Sequence, residues 1–202
     1  MHACFFPGPI GRLEGRIHHT HPENPWVLLL HPHPLYQGSM NNKVIVTAER
    51  SCQRIHLNTF AFNLRGTGQS ENNYTTLKGA IDDARAAITY LKQTYQAQPT
   101  TFIGFSFGSY LATQLANEDD TLILLAPPIE RLPFDTVTLP DTTLIIQGGQ
   151  DAIANPTSTE QWQLKHPGSQ YACVPEASHF FHQKLHVIGA HIQTFLTESL
   201  DL

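Results

Sequence analysis

Ser106, Asp151 and His179 have the types and the order needed to attack a carbonyl carbon by nucleophilic catalysis. Ser106 is the centre of Gly104-Phe105-Ser106-Phe107-Gly108, where an apolar run ends and an amphipathic run begins. Thr100–Ile103 reads as a strand and Ser109–Ala116 as a helix. G-x-S-x-G on such a turn is a nucleophile elbow, which holds the serine in a strained backbone conformation with its hydroxyl above the sheet. Glycines two residues to either side remove the Cβ atoms that would clash there. Ser before a helix is also the commonest N-cap, so the pattern needs partners elsewhere in the chain.

Those partners follow in sequence. A serine hydroxyl at neutral pH needs an imidazole to take its proton, and the imidazole needs a carboxylate to fix its tautomer. Asp151 follows the apolar run Leu144–Gln147 through Gly148-Gly149-Gln150, and His179 follows Gln170–Val174 through Pro175-Glu176-Ala177-Ser178. Asp151 could instead cap the helix after Pro156, and Glu176 is a rival acid near His179. The developing oxyanion calls for two N–H donors. One is Phe107, next after the nucleophile at a helix N-terminus. The other belongs to the loop His31–Gly38, where Pro32 and Pro34 have no N–H. That leaves His33, with Leu35 in reserve. Phe105, Tyr36 and Phe180 are candidate substrate contacts.

The elements that must position these groups alternate. Gly11–His18 alternates in polarity and predicts an early strand. Trp26–Leu30, His56–Phe62, Thr121–Leu125 and Thr142–Gln147 are short apolar runs, as expected of strands buried on both faces. Gln170–Val174 predicts the last strand. Helical spacing covers Met40–Cys52, Leu77–Tyr95, Pro156–His166 and Phe181–Leu196. The pattern predicts an α/β fold, a three-layer αβα sandwich around a mainly parallel sheet, with its site at the strands' carboxyl ends. At 202 residues, with no linker-like stretch and no repeat, one domain over 1–202 is expected.

The chain resembles small, lidless α/β-hydrolases related to dienelactone hydrolase. The resemblance spans nearly its whole length: GPIGRLEG, LLLHPHPLYQGSMNNKV, FNLRGTGQS, GFSFGSYLA, IIQGGQDAIANP and ASHFFHQKL. It implies catalytic roles for Ser106, Asp151 and His179. Dienelactone hydrolases use a cysteine nucleophile, so serine here implies the esterase-like branch. Only Ala126–Asp141, with four prolines, stands where lipases insert a helical cap. A capless fold and an open, shallow cleft for small soluble esters are therefore expected.

Other readings remain beside this one. His182 and His186 lie i,i+4 in the expected last helix and could share a metal, although no H-E-x-x-H motif or acidic third ligand accompanies them; no metal is expected. His31 suits a structural role. Arg65-Gly66-Thr67-Gly68 reads as a tight turn, because it lacks the lysine of a phosphate loop. A net charge of −5 with only 12 Lys plus Arg argues against nucleic acid or anionic membrane as a partner. The N-terminus lacks the pattern of a secretory signal. The cysteines Cys4, Cys52 and Cys173 are expected to be reduced and mostly buried, in a cytoplasmic protein. The sequence thus predicts a serine hydrolase of small carboxylic esters, monomeric or homodimeric and needing no cofactor. A thioesterase, a small-peptide amidase or a non-catalytic scaffold of the same fold is the alternative.

Overall fold

The computed structural model describes residues 2–202. Met1, which belongs to the N-terminal segment and to the expected 1–202 domain, lies outside the described residues. Eight strands form one sheet: β1 (His2–Gly8), β2 (Gly11–His18), β3 (Trp26–Leu30), β4 (Asn58–Phe62), β5 (Thr101–Phe105), β6 (Thr121–Leu125), β7 (Thr143–Gly148) and β8 (Gln170–Val174). Their spatial order is β1-β2-β4-β3-β5-β6-β7-β8. β2 pairs antiparallel with β1 and β4, and every other pairing is parallel.

Five helices cover the sheet: α1 (Lys43–Arg54), α2 (Leu77–Tyr95), α3 (Phe107–Thr113), α4 (Pro156–Gln163) and α5 (Leu185–Ser199). Alternation along the buried strands divides the core in two. Leu28, Leu30, Phe60 and Phe62 pack with residues of α2 and α3. Val27, Leu29, Ala61, Ile103 and Phe105 pack with residues of α1 and α5 on the other face. The result is the three-layer sandwich expected, with no cap domain. The segment after β6 holds only a short 3-10 turn, Phe134–Thr136.

The chain leaves β3 to build β4 on one side and then returns to build β5 on the other. This reversal opens a crevice beyond the carboxyl ends of β3 and β5, the place where open α/β sheets bind ligands. The loops His31–Gly38 and Ser106–Phe107 flank it.

Several elements differ from expectation. β1 was not foreseen; it carries Pro7, which is tolerated because β1 is an edge strand, where a missing N–H costs nothing. α5 begins at Leu185 rather than Phe181, because Phe181 (φ 51°) and Gln183 (φ 62°) adopt left-handed backbone that no helix continues. His182 therefore lies in that turn and does not share a helical face with His186. α1 starts at Lys43, where the Asn42 side chain caps it by accepting from the Val44 N–H. β4 begins at Asn58 because His56 is left-handed at φ 64°. Of the cysteines only Cys52 is buried; Cys4 is half-buried, and Cys173 is exposed on the edge strand β8. Among the described residues no helix is long and apolar enough to cross a membrane.

Candidate active site

The turn from β5 to α3 is built by close backbone approach. A Cβ at Gly104 would stand 2.1 Å from the Gly108 carbonyl oxygen, and one at Gly108 would stand 2.0 Å from that of Leu30. Both positions therefore require glycine. Between them Ser106 adopts φ 54° and ψ −117°, a strained conformation for any residue with a side chain. Its N–H donates to the Leu125 carbonyl at 2.8 Å, tying the strained residue to β6. The Ser106 side chain makes no capping bond to α3. Its Oγ instead lies 3.0 Å from His179 Nε2.

His179 comes from the loop after β8 and Asp151 from the loop after β7. His179 Nδ1 stands 2.7 Å from Asp151 Oδ2. A carboxylate only accepts, so Nδ1 carries the proton and Nε2 is left to receive one from Ser106. Phe105 packs its ring 5.2 Å from the imidazole. Asp151 is fixed from every direction. Oδ1 accepts from the Ile153 and Ala154 N–H groups, both at 2.8 Å, and Oδ2 also accepts from Gln147 Nε2 at 3.0 Å. Burial alone would raise the Asp151 pKa. The bonds from His179 and from the Ala154 and Ile153 amides outweigh it and hold the group below the usual carboxylate range. Asp151 thus fixes its own turn and orients His179 as well. Glu176, the rival acid, faces solvent and pairs with Lys184 Nζ at 3.2 Å.

The loop after β3 is equally fixed. His31 is buried, with Nδ1 2.6 Å from the Pro32 carbonyl and Nε2 accepting from the Leu64 N–H at 3.0 Å. The Leu64 donor leaves the ring proton on Nδ1, which donates to Pro32. Burial lowers the His31 pKa to about 4, keeping the ring neutral. The Leu35 N–H is engaged by His33 Nδ1 at 3.2 Å, which removes the reserve oxyanion donor. Among the described residues the His33 and Phe107 N–H groups have no protein acceptor.

These groups open into a cleft of about 710 Å³ lined by Ser106, His179, His33, Phe107, Tyr36 and Phe180 and by side chains of the 126–141 segment. That volume lies within the range of roughly 300–1,000 Å³ usual for small-molecule pockets. Tyr36 and Phe180 reach the cleft as expected. Phe105 does not: strand alternation turns its fully buried side chain to the α1/α5 face, beneath the imidazole. Two contributors were missed. Gln147, the polar residue ending an apolar strand, left a visible signal. Arg131, on the cleft wall, left none.

Arg65 settles as a structural residue, paired with Asp83 at 2.6 Å and bonded to the Gly79 carbonyl. Among the described residues no group of three or more His, Cys, Asp or Glu side chains is placed to hold a metal ion.

Comparison with known proteins agrees with this architecture. The profile of a family described as alpha/beta hydrolase fold matches residues 25–127. The chain is 33% identical to the uncharacterized protein RP471 of Rickettsia prowazekii (strain Madrid E), covering 97% of this chain and 89% of that protein. This chain belongs to the α/β-hydrolase fold family. Among solved structures, this α/β hydrolase is similar to XC6422 from Xanthomonas campestris, described as an a/b serine hydrolase without a lid. The identity is 29% and the TM-score 0.90, covering 98% of this chain and 94% of the other. It is likewise similar to an alpha-beta serine hydrolase homologue from Coxiella burnetii, at 30% identity and TM-score 0.87, covering 96% and 97%. Like XC6422, this α/β hydrolase has no lid over its cleft.

Proposed function

We propose that this α/β hydrolase is a serine hydrolase that cleaves small carboxylic esters through an acyl-enzyme. One observation carries the reading: a single imidazole, at the floor of an open cleft, bridges a buried carboxylate at 2.7 Å and a strained serine hydroxyl at 3.0 Å. The similarity to lidless serine hydrolases supports it. Ser106 Oγ attacks the ester carbonyl as its proton passes to His179 Nε2. Asp151 stabilises the imidazolium by holding Nδ1–H. The oxyanion lies between the Phe107 and His33 N–H groups. Collapse breaks the bond to the alcohol, which leaves with the proton from Nε2. Water then gives its proton to His179 and attacks the acyl carbon. The acid departs, and the proton returns to Ser106.

The chemistry needs no cofactor. The whole chain serves it as one domain, acting in the cytoplasm on a small-molecule ester as a monomer or homodimer. Three free cysteines fit a reducing compartment, and the net charge of −5 disfavours polyanionic partners. Replacing Ser106 with Ala should lower kcat on a short p-nitrophenyl ester by on the order of 10⁴-fold or more. It should also abolish labelling by a fluorophosphonate probe. Turnover retained in that variant would sink the proposal.

A further inference from the structure

Apart from the Asp151–His179 pair, the cleft holds one formal charge, and that charge is positive although the chain's net charge is −5. Arg131 lines the wall contributed by the segment after β6, between Pro128 and Leu132. Burial lowers the pKa of His33, the imidazole of the lining other than His179, and so favours its neutral form. Among the described residues no carboxylate lies within ion-pairing distance of Arg131. The adjacent carboxylate, Glu130, is engaged by the Ser158 hydroxyl.

The backbone carrying Arg131 is held in place. Its N–H donates to the Pro128 carbonyl at 2.9 Å, and the Phe134 N–H donates to the Leu132 carbonyl at 2.7 Å. Phe134 is buried, and Trp162 Nε1 donates to its carbonyl at 3.3 Å. A guanidinium on a fixed loop, beside apolar walls and without a counter-ion, has the character of an anion receptor. Its planar fork matches a carboxylate in two parallel bonds.

We propose that Arg131 forms an anion subsite and that the favoured substrates are half-esters of dicarboxylic acids, with the free carboxylate at the far end of the acyl chain. The proposal rests on Ser106 being the nucleophile. In this arrangement the leaving alcohol stands beside His179 Nε2, which must protonate it, and so next to Phe180, whose ring lies 5.2 Å from the imidazole. The proposal assigns the acyl part to the remaining lining, contributed by Pro128, Arg131 and Leu132.

The test compares the half p-nitrophenyl ester of glutaric acid with p-nitrophenyl butyrate, which differ only in the terminal carboxylate. Wild type should favour the glutarate ester in kcat/KM by about 10-fold, one charge-assisted contact's worth. The preference should shrink as salt is raised. R131Q should bring the ratio close to one and R131E should invert it. Taking the ratio within each variant cancels losses common to both esters. A second pair, 4-carboxyphenyl butyrate and phenyl butyrate, carries the anion on the alcohol and should show no dependence on Arg131. A preference that survives R131Q, or one found only with the second pair, overturns the proposal. Binding of monomethyl glutarate against methyl butyrate to S106A, with and without R131Q, reads the subsite without turnover. Equal binding in both backgrounds rejects the subsite, whereas absent turnover with an Arg131-dependent difference rejects only the nucleophile.

Discussion

At the floor of the cleft, His31 engages backbone partners through both ring nitrogens, Asp151 accepts four hydrogen bonds, and Ser106 is tied to β6 through its own N–H. At the rim, Tyr36 and Phe180 are 82% and 41% exposed, and Arg131 has no ionic partner among the described residues. The floor is built from groups whose partners are already chosen; the rim is built from groups whose partners are still to come. In the proposed reaction charge develops in a fixed direction at the floor, and preorganised donors and acceptors there need no reorganisation at the moment of reaction. A rim that meets the variable part of a substrate gains nothing from internal hydrogen bonds.

The difference can be broken most severely at Asp151. Asp151→Asn keeps the shape but replaces an acceptor by an amide that can offer N–H to His179 Nδ1, favouring the tautomer with its proton on Nε2. Nε2 can then no longer take the serine proton, and kcat should fall by on the order of 10⁴-fold. Burst and steady-state rates on a p-nitrophenyl ester check this. A loss below tenfold would mean that the carboxylate does not set the tautomer.

A smaller break is expected at His31. Its Nδ1–H fixes the Pro32 carbonyl, and the N–H of His33 belongs to the same planar peptide, pointing the opposite way. A Cβ at Gly38 would lie 1.9 Å from that carbonyl oxygen, so the peptide is confined from a second direction. His31→Gln should lower kcat about 10- to 100-fold, less than the roughly 10²–10³-fold cost of removing an oxyanion donor outright. KM should change less than twofold, because the contact forms in the transition state. A rise in KM with kcat unchanged would contradict this role.

The same residue predicts a pH signature. His31 titrates near 6.5 when unfolded and near 4 when folded, so the unfolded chain binds more protons between these values. Stability should therefore be complete above about 6.5 and fall as the pH drops toward about 4. The Asp151 contribution, from a lowered pKa, is lost only at still lower pH, below its ordinary 3.8. Urea midpoints across this range should show a shallower slope between 6.5 and 4 in His31→Gln than in wild type.

The contrast between floor and rim also explains what could be read in the sequence. Ser106, Asp151 and His179 were legible as candidates because each follows a predicted strand and two carry local glycine patterns, so fold and spacing coincide. Leu77–Tyr95 and Thr121–Leu125 were legible to the residue because their periodicity is unbroken. β1 was not, since proline at an edge strand looks like proline in a loop. Phe105 was misplaced because strand alternation decides its face, and the register of β5 is set by its neighbours β3 and β6. Arg131 was invisible for a different reason. A single exposed arginine has no pattern, and only the packing of Phe134 under its loop sets it on the cleft wall.

The smallest effect is expected from trimming the rim. Phe180 is 41% exposed and sits edge-on to the His179 ring at 5.2 Å, so it touches the floor without bonding to it. Removing its ring takes away apolar area that a leaving group covers, and an alanine there leaves the hydrogen bonds of His179 intact. Phe180→Ala should raise KM for an aryl ester about 2- to 10-fold while kcat stays within threefold, since a pocket's apolar contacts are worth only ~1–3 kcal/mol. The effect should fade for a methyl ester, which has no ring to lose contact with. If kcat instead collapsed for both esters, Phe180 would be acting on the position of the imidazole, and the rim would share the rigidity of the floor.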